Sequence, residues 1–173
     1  MTQFKDAAAA PIAERDYFDL LMACVEKAKR RIYANIFLFD ARPERDIHGQ
    51  VLDLTLALAK QHRLGVDVRV LMNGQVQTPV LGVANVATGI ILESHGVLHR
   101  RIFNADNKRI GSHAKFAIFD DMAVVGSANW TDDAFNDNTE ETVLLRGNAV
   151  NMLETEFMRL WPLGKGLPHN ESS

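Results

Sequence analysis

The sequence predicts an α/β domain of the mixed α+β kind: a mixed β-sheet flanked by helices. Three observations support this. In the first half, apolar segments of strand length alternate with helical patterns. In the second half, strand-like segments follow one another with only turns between them. The chain has 173 residues and 47% apolar content, enough for one sizeable core, and no linker divides it.

The elements follow in order. Residues 1–10 carry no pattern and are expected to be loose, ahead of a single domain over 11–163 and a loose tail over 164–173. Pro11 suits the first turn of a helix. Ile12, Phe18, Leu21, Val25 and Ala28 then fall at helical spacing. Arg31 to Phe39 is rich in Ile and Phe and reads as a buried strand. A polar loop from Asp40 to Gly49 leads to a second helix marked by Val51, Leu54, Leu58 and Ala59, and Gly65 ends it. Val66 to Met72 is the next strand, and Asn73-Gly74 the turn after it. A weaker, glycine-containing helix runs from Pro79 to Ser94, and a strand from Val97 to Ile102. Beyond the polar loop Asn104 to Ser112, the segments His113 to Phe119 and Met122 to Gly126 form a hairpin around Asp120-Asp121. Glu141 to Arg146 is the last strand. Val150, Leu153, Phe157, Leu160 and Trp161 mark the last helix, which Pro162 and Gly164 stop.

Bulk charge narrows the classes of function. The net charge is −3 and the pI about 6.1. Binding to nucleic acid would therefore depend on a local patch, since chains held by overall charge are basic. Arg100, Arg101, Lys108 and Arg109 form such a cluster just before His113. The single cysteine, Cys24, excludes an intrachain disulfide and sits in a core pattern. No signal peptide or membrane span is read, so a soluble, cytoplasmic protein is expected. His95 and His99 would lie about 13 Å apart along a strand, too far to share a metal.

The chemistry is concentrated in His113-Ala-Lys115-Phe-Ala-Ile-Phe-Asp120 and Gly126-Ser127-Ala-Asn129-Trp130-Thr131. Residues two apart on a strand share a face, so His113 and Lys115 project together. An imidazole beside an ammonium suits the binding of an anion. The ammonium neutralises the anion and keeps the imidazole neutral and nucleophilic. Ser127, Asn129 and nearby backbone N–H groups are donors for phosphoryl oxygens. Glu140 is placed to accept the second ring N–H of His113. Trp130 reads as packing.

The HxK, Asp, GSxN, Trp-Thr series, with Asn138 and Glu140 downstream, resembles the HKD motif of the phospholipase D superfamily. The resemblance extends over roughly residues 12 to 162. It is nearest to single-motif members, the compact bacterial endonucleases and Zucchini-type enzymes, without the zinc-finger insertion of the latter. It implies the phospholipase D/nuclease-like fold and a catalytic set of His113, Lys115, Asp120, Asn129 and Glu140. Lys115, Ser127 and Asn129 would hold phosphate. One departure stands out: Asp120 and Gly126 enclose one residue fewer than the family's usual spacing. The turn is expected to absorb the loss, so that Ser127 and Asn129 still face His113. It leaves open whether Asp120 or Asp121 fills the acidic position, or whether Asp120 serves only the turn.

In-line displacement at a phosphodiester needs a nucleophile and a proton donor on opposite sides. The chain carries one motif, so a homodimer with a shared site is expected. No metal or cofactor is expected, because the lysines neutralise the charge. The first reading is a nuclease on DNA or RNA, working through a phosphohistidine. The alternative is a phospholipase D or phosphatidyl transferase acting on a phospholipid such as cardiolipin, with Thr78 to Ile91 as its docking segment. A non-catalytic nucleic-acid-binding module is a third reading. It has no need of His113, Lys115, Asn129 and Glu140 together.

Overall fold

The computed structural model describes residues 7–74, 79–103 and 111–167. Among these residues seven strands form one sheet: β1 (Ala7–Ile12), β2 (Arg31–Ile36), β3 (Asp67–Asn73), β4 (Leu98–Ile102), β5 (Lys115–Phe119), β6 (Met122–Gly126) and β7 (Thr142–Gly147), in the spatial order β1-β7-β6-β5-β2-β3-β4. The pairs β2–β3 and β3–β4 are parallel and all others antiparallel. Parallel neighbours need crossovers. Here the crossovers carry α2 (Gln50–Arg63) and α3 (Pro79–Ser94), and with α1 (Tyr17–Lys27) they cover one face of the sheet. The second half, where turns are short, is antiparallel. α5 (Asn148–Leu160) packs on the opposite face. The mixed sheet between helices is the architecture expected from the sequence.

Strand alternation sorts the core in two. Ile32, Ala34 and Ile36 of β2 pack with Val68, Val70 and Met72 of β3 under the first three helices. Tyr33, Leu71, Phe116 and Ile118 face α5, where Tyr33 stacks on Phe157 at 4.9 Å. Trp130 is fully enclosed, edge-on to Phe39 at 5.0 Å, and its indole N–H donates to the Tyr17 hydroxyl. Burial pushes that hydroxyl's pKa up to about 12. Trp130 is therefore packing, and truncating it should cost about 3–5 kcal/mol.

Three expectations are corrected. Residues 7–10 are not loose but pair with β7, and Pro11 lies in this edge strand, opposite Val143, instead of opening a helix. An edge strand tolerates proline because one side of its backbone needs no partner. The helix begins only at Tyr17, after a 3-10 turn at Glu14–Asp16. In the tail, Lys165 forms an antiparallel bridge with Arg101. A short helix, α4 (Asp132–Asn136), was not anticipated. Thr131 caps it, its hydroxyl accepting from the Ala134 N–H at 3.2 Å.

Candidate active site

Open α/β sheets bind ligands at the carboxyl ends of their parallel strands, where side chains and loops leave the ladder. β5 runs antiparallel to β2, with Lys115 opposite Ile36, so its first residues arrive at that end. His113 precedes β5 and is exposed, its ring 4.5 Å from that of Phe37. The Lys115 ammonium lies 4.9 Å from the centre of the Phe37 ring, 3.0 Å from the His113 carbonyl oxygen and 3.4 Å from Nδ1. The sequence-derived pair is thus brought together, with Phe37 as a shared apolar wall. Burial, and then the Lys115 charge, hold the His113 pKa below the ordinary histidine value. Burial also lowers Lys115, while the nearby Glu140 charge acts in the opposite sense. A neutral imidazole at neutral pH can attack an electrophile, which a protonated one cannot.

The backbone around His113 is held by buried asparagines. Asn35 of β2 is fully enclosed and its Oδ1 accepts from the Ser112 hydroxyl at 2.9 Å. The Ser112 hydroxyl oxygen in turn accepts from the Ala114 N–H at 3.4 Å. Asn73, at the end of β3, accepts from the Gly111 N–H at 3.0 Å. Asn85 of α3 ties the two strand ends together. It donates to the carbonyls of Phe37 and Asn73 and accepts from the Phe39 N–H. These residues were missed in the sequence reading. The signal was present, since Asn35 interrupts an apolar strand and a buried amide needs partners.

The other half of the motif is divided. Ser127 donates to the Glu140 carboxylate, and its hydroxyl oxygen accepts from the Glu141 N–H at 3.0 Å. The Oδ1 of Asn129 accepts from the Leu38 N–H at 3.3 Å. Within one chain, Glu140 therefore meets Ser127 and not the His113 ring, contrary to expectation. Neither Ser127 nor Asn129 hydrogen-bonds to His113 or Lys115. The shortened hairpin explains part of this. Its two-residue turn, with Asp120 at φ 54°, leaves Phe116 opposite Val125. Continued one step, the ladder sets Gly126 across from Lys115, and Ser127 leaves on the other side. A side chain on Gly126 would collide with the Glu141 carbonyl and with Thr142.

Asp120 lies at the far end of β5, about 16 Å along the strand from Lys115. Its carboxylate accepts from the N–H groups of Lys29, Arg30 and Arg31 at 2.8, 2.9 and 3.0 Å. Burial raises its pKa, but the three donors together outweigh burial and hold the carboxyl below its ordinary value. The structure separates Asp120 from the other expected catalytic residues and makes it the anchor of the β2 entry. Asp121 is exposed beside it.

The basic cluster also splits. Arg100 lies over Trp161 on the α5 face, at 5.0 Å, and donates to its carbonyl. Arg101 faces the other way, and Lys108 and Arg109 lie outside the described residues. Among the described residues, Asp132, Asp133 and Asp137 come close enough to share a cation. Asp132, however, is already engaged by the backbone N–H and Nδ1 of His48.

Residues 21–161 match the family model described as cardiolipin synthase, PLD-like domain. The chain belongs to the phospholipase D superfamily. This membership supports a phosphodiester-acting enzyme. No curated protein sequence matches the chain. Among solved structures, Nuc from Salmonella typhimurium, a phospholipase D family member, is similar with a TM-score of 0.71 at 22% identity, over 92% of this chain and 95% of that one. NucT from Helicobacter pylori reaches 0.70 at 15% identity, over 93% and 98%. Phosphatidylserine synthase from Haemophilus influenzae Rd KW20 reaches 0.65 at 11% identity, over 85% of this chain and 35% of that one. At these identities the likeness is one of fold. No helix among the described residues of this phospholipase D-like domain is long and apolar enough to cross a membrane.

Proposed function

We propose that the protein is a metal-independent phosphodiesterase, most simply a nuclease, working as a homodimer through a phosphohistidine. The observation that carries this is the exposed His113 imidazole, held neutral against Lys115 and Phe37 at the carboxyl end of the sheet. The bound phosphate draws the Lys115 ammonium to its oxygens and away from Nδ1. The ring then attacks phosphorus, a nitrogen–phosphorus bond forms and the bond to the leaving oxygen breaks. His113 of the second copy, protonated when the phosphate anion docks beside it, gives its proton to that oxygen, then takes one from water as the water attacks phosphorus and releases the ring. The two copies of Lys115 and Asn129 hold the charged oxygens. Ser127 links Glu140 to the site's edge and keeps a carboxylate within electrostatic reach of Lys115.

Size favours a nucleic-acid substrate. The chain matches 95% of Nuc and 98% of NucT, whereas it spans only 35% of the phosphatidylserine synthase. A phospholipid reading is favoured by two features: Val83 and Ile90 are exposed apolar side chains on α3, and the matching family is described by a lipid enzyme, cardiolipin synthase. Turnover of bis(p-nitrophenyl) phosphate, followed by assays on single-stranded DNA, duplex DNA, RNA and cardiolipin vesicles, tests both readings. Cleavage of nucleic acid that disappears in His113→Asn is expected. Action on cardiolipin alone would replace the nuclease reading with the lipid one.

A further inference from the structure

The register of the sheet places a second basic position in line with the reacting lysine. Lys115 pairs with Ile36, Ile36 with Met72, and Met72 with Arg101. Laterally paired residues share a face, so Lys115 and Arg101 lie in one row on the same face, three strands apart. At about 4.8 Å per strand their backbones are separated by about 14 Å. Beyond Arg101 the row continues to Lys165, the two exchanging backbone hydrogen bonds of 2.8 and 2.9 Å in an antiparallel bridge. Such a pair has its Cα atoms about 5.5 Å apart and its side chains on one side.

This arrangement is unfavourable for the protein alone. Like charges directly opposite each other across strands destabilise a sheet. Arg101 is only 8% exposed, and its Nε is enclosed with no acceptor. Among the described residues neither Arg101 nor Lys165 forms an ion pair with a carboxylate. Burial pulls the Arg101 pKa down, and no carboxylate among the described residues acts against it. The Phe103 ring, 5.5 Å away, is its one described side-chain partner, and a ring does not neutralise charge. A buried guanidinium beside an ammonium, with no carboxylate among the described residues to pair it, is expensive unless an anion completes it.

We propose that Arg101 and Lys165 form a phosphate subsite for the nucleic-acid strand, two or more nucleotides from the bond that His113 attacks. This deepens the nuclease reading and rests on it. At a rise of 3.4 Å per stacked nucleotide, about 14 Å corresponds to roughly four nucleotides, and to fewer in an extended strand. Specificity then depends on strand length and backbone charge rather than on bases.

The test uses the full chain with Arg101→Met, Lys165→Gln and the double variant. Substrates are bis(p-nitrophenyl) phosphate and single-stranded oligonucleotides of about 2 to about 12 nucleotides. Wild-type kcat/KM should climb with length and level off once the strand reaches the subsite. In the double variant the ratio of long-oligonucleotide to small-diester kcat/KM should fall about tenfold. The slope of log kcat/KM against log salt should become shallower by about 1.4, from two phosphate contacts at about 0.7 each. Arg101→Met should leave Tm unchanged or raise it, because it removes a buried charge that no described carboxylate pairs. A folded double variant with the wild-type length dependence and salt slope overturns the subsite. So does a fall in Tm with parallel loss on both substrates, which would make Arg101 structural. If the wild type cleaves the small diester but no oligonucleotide, the nuclease reading fails and takes the subsite with it. If the wild type cleaves oligonucleotides and the variants do so equally well, the subsite alone fails.

Discussion

The two ends of β5 make a useful contrast. At one end, Lys115 and His113 have exposed polar atoms, a shared aromatic wall and lowered pKa values. At the other, Asp120 is only 17% exposed at its side chain and accepts from three backbone N–H groups. One motif thus spans two kinds of residue. A group whose hydrogen bonds are complete within the fold stabilises the fold. A group left with unmet capacity is available to a substrate. Strand geometry enforces the division, because five residues of extended chain separate the positions by about 16 Å.

The largest expected effect is at the exposed end. His113→Asn should leave Tm near the wild-type value and abolish turnover, by more than the roughly 10²–10⁴ of a single acid–base group. A folded variant with near-wild-type activity would remove the nucleophile assignment. Next comes mixing of His113→Ala chains with wild type under subunit exchange. If each site needs both histidines, activity falls as the square of the wild-type fraction. A linear fall would mean that each chain works alone.

The buried end should respond in stability. Asp120→Ala should cost about 2–3 kcal/mol, from lost charge-assisted hydrogen bonds and because alanine tolerates positive φ less well than aspartate. That lowers Tm by about 4–12 °C for a chain of this size, while kcat per folded molecule stays near wild type. Asp120→Asn should lose less, since asparagine tolerates that backbone region. Because the folded pKa of Asp120 lies below its unfolded value, its contribution is complete above about pH 4 and is lost as pH falls through the folded pKa. Loss of turnover in folded Asp120→Ala protein would erase the contrast.

Two smaller effects sharpen it. The acid limb of kcat/KM should lie below the ordinary histidine pKa of about 6.5, because His113 is held neutral by burial and by Lys115. A limb above that value would contradict the electrostatic account. Smallest of all should be the response to EDTA, since charge neutralisation is assigned to Lys115 and Asn129. Full loss on chelation with rescue by magnesium would reassign the chemistry.

Local pattern determined much of this protein. Alternation and helical spacing set most of the strands and helices, the helix over Pro79 to Ser94 at its observed bounds. The shared face of His113 and Lys115 followed from the two-residue period of a strand, a property of local backbone geometry. Tertiary structure decided what depends on partners distant in sequence. The alanines of β1 show no pattern, and only β7, far along the chain, makes them a strand. Asp120 reads as a catalytic candidate until its carboxylate meets residues 29–31, on another element. Ser127 and Glu140 pair, and Arg100 and Arg101 part company, because register and pleat assign each side chain its face. Sequence spacing gives the period of a strand, but the neighbour against which it is set comes from long-range packing.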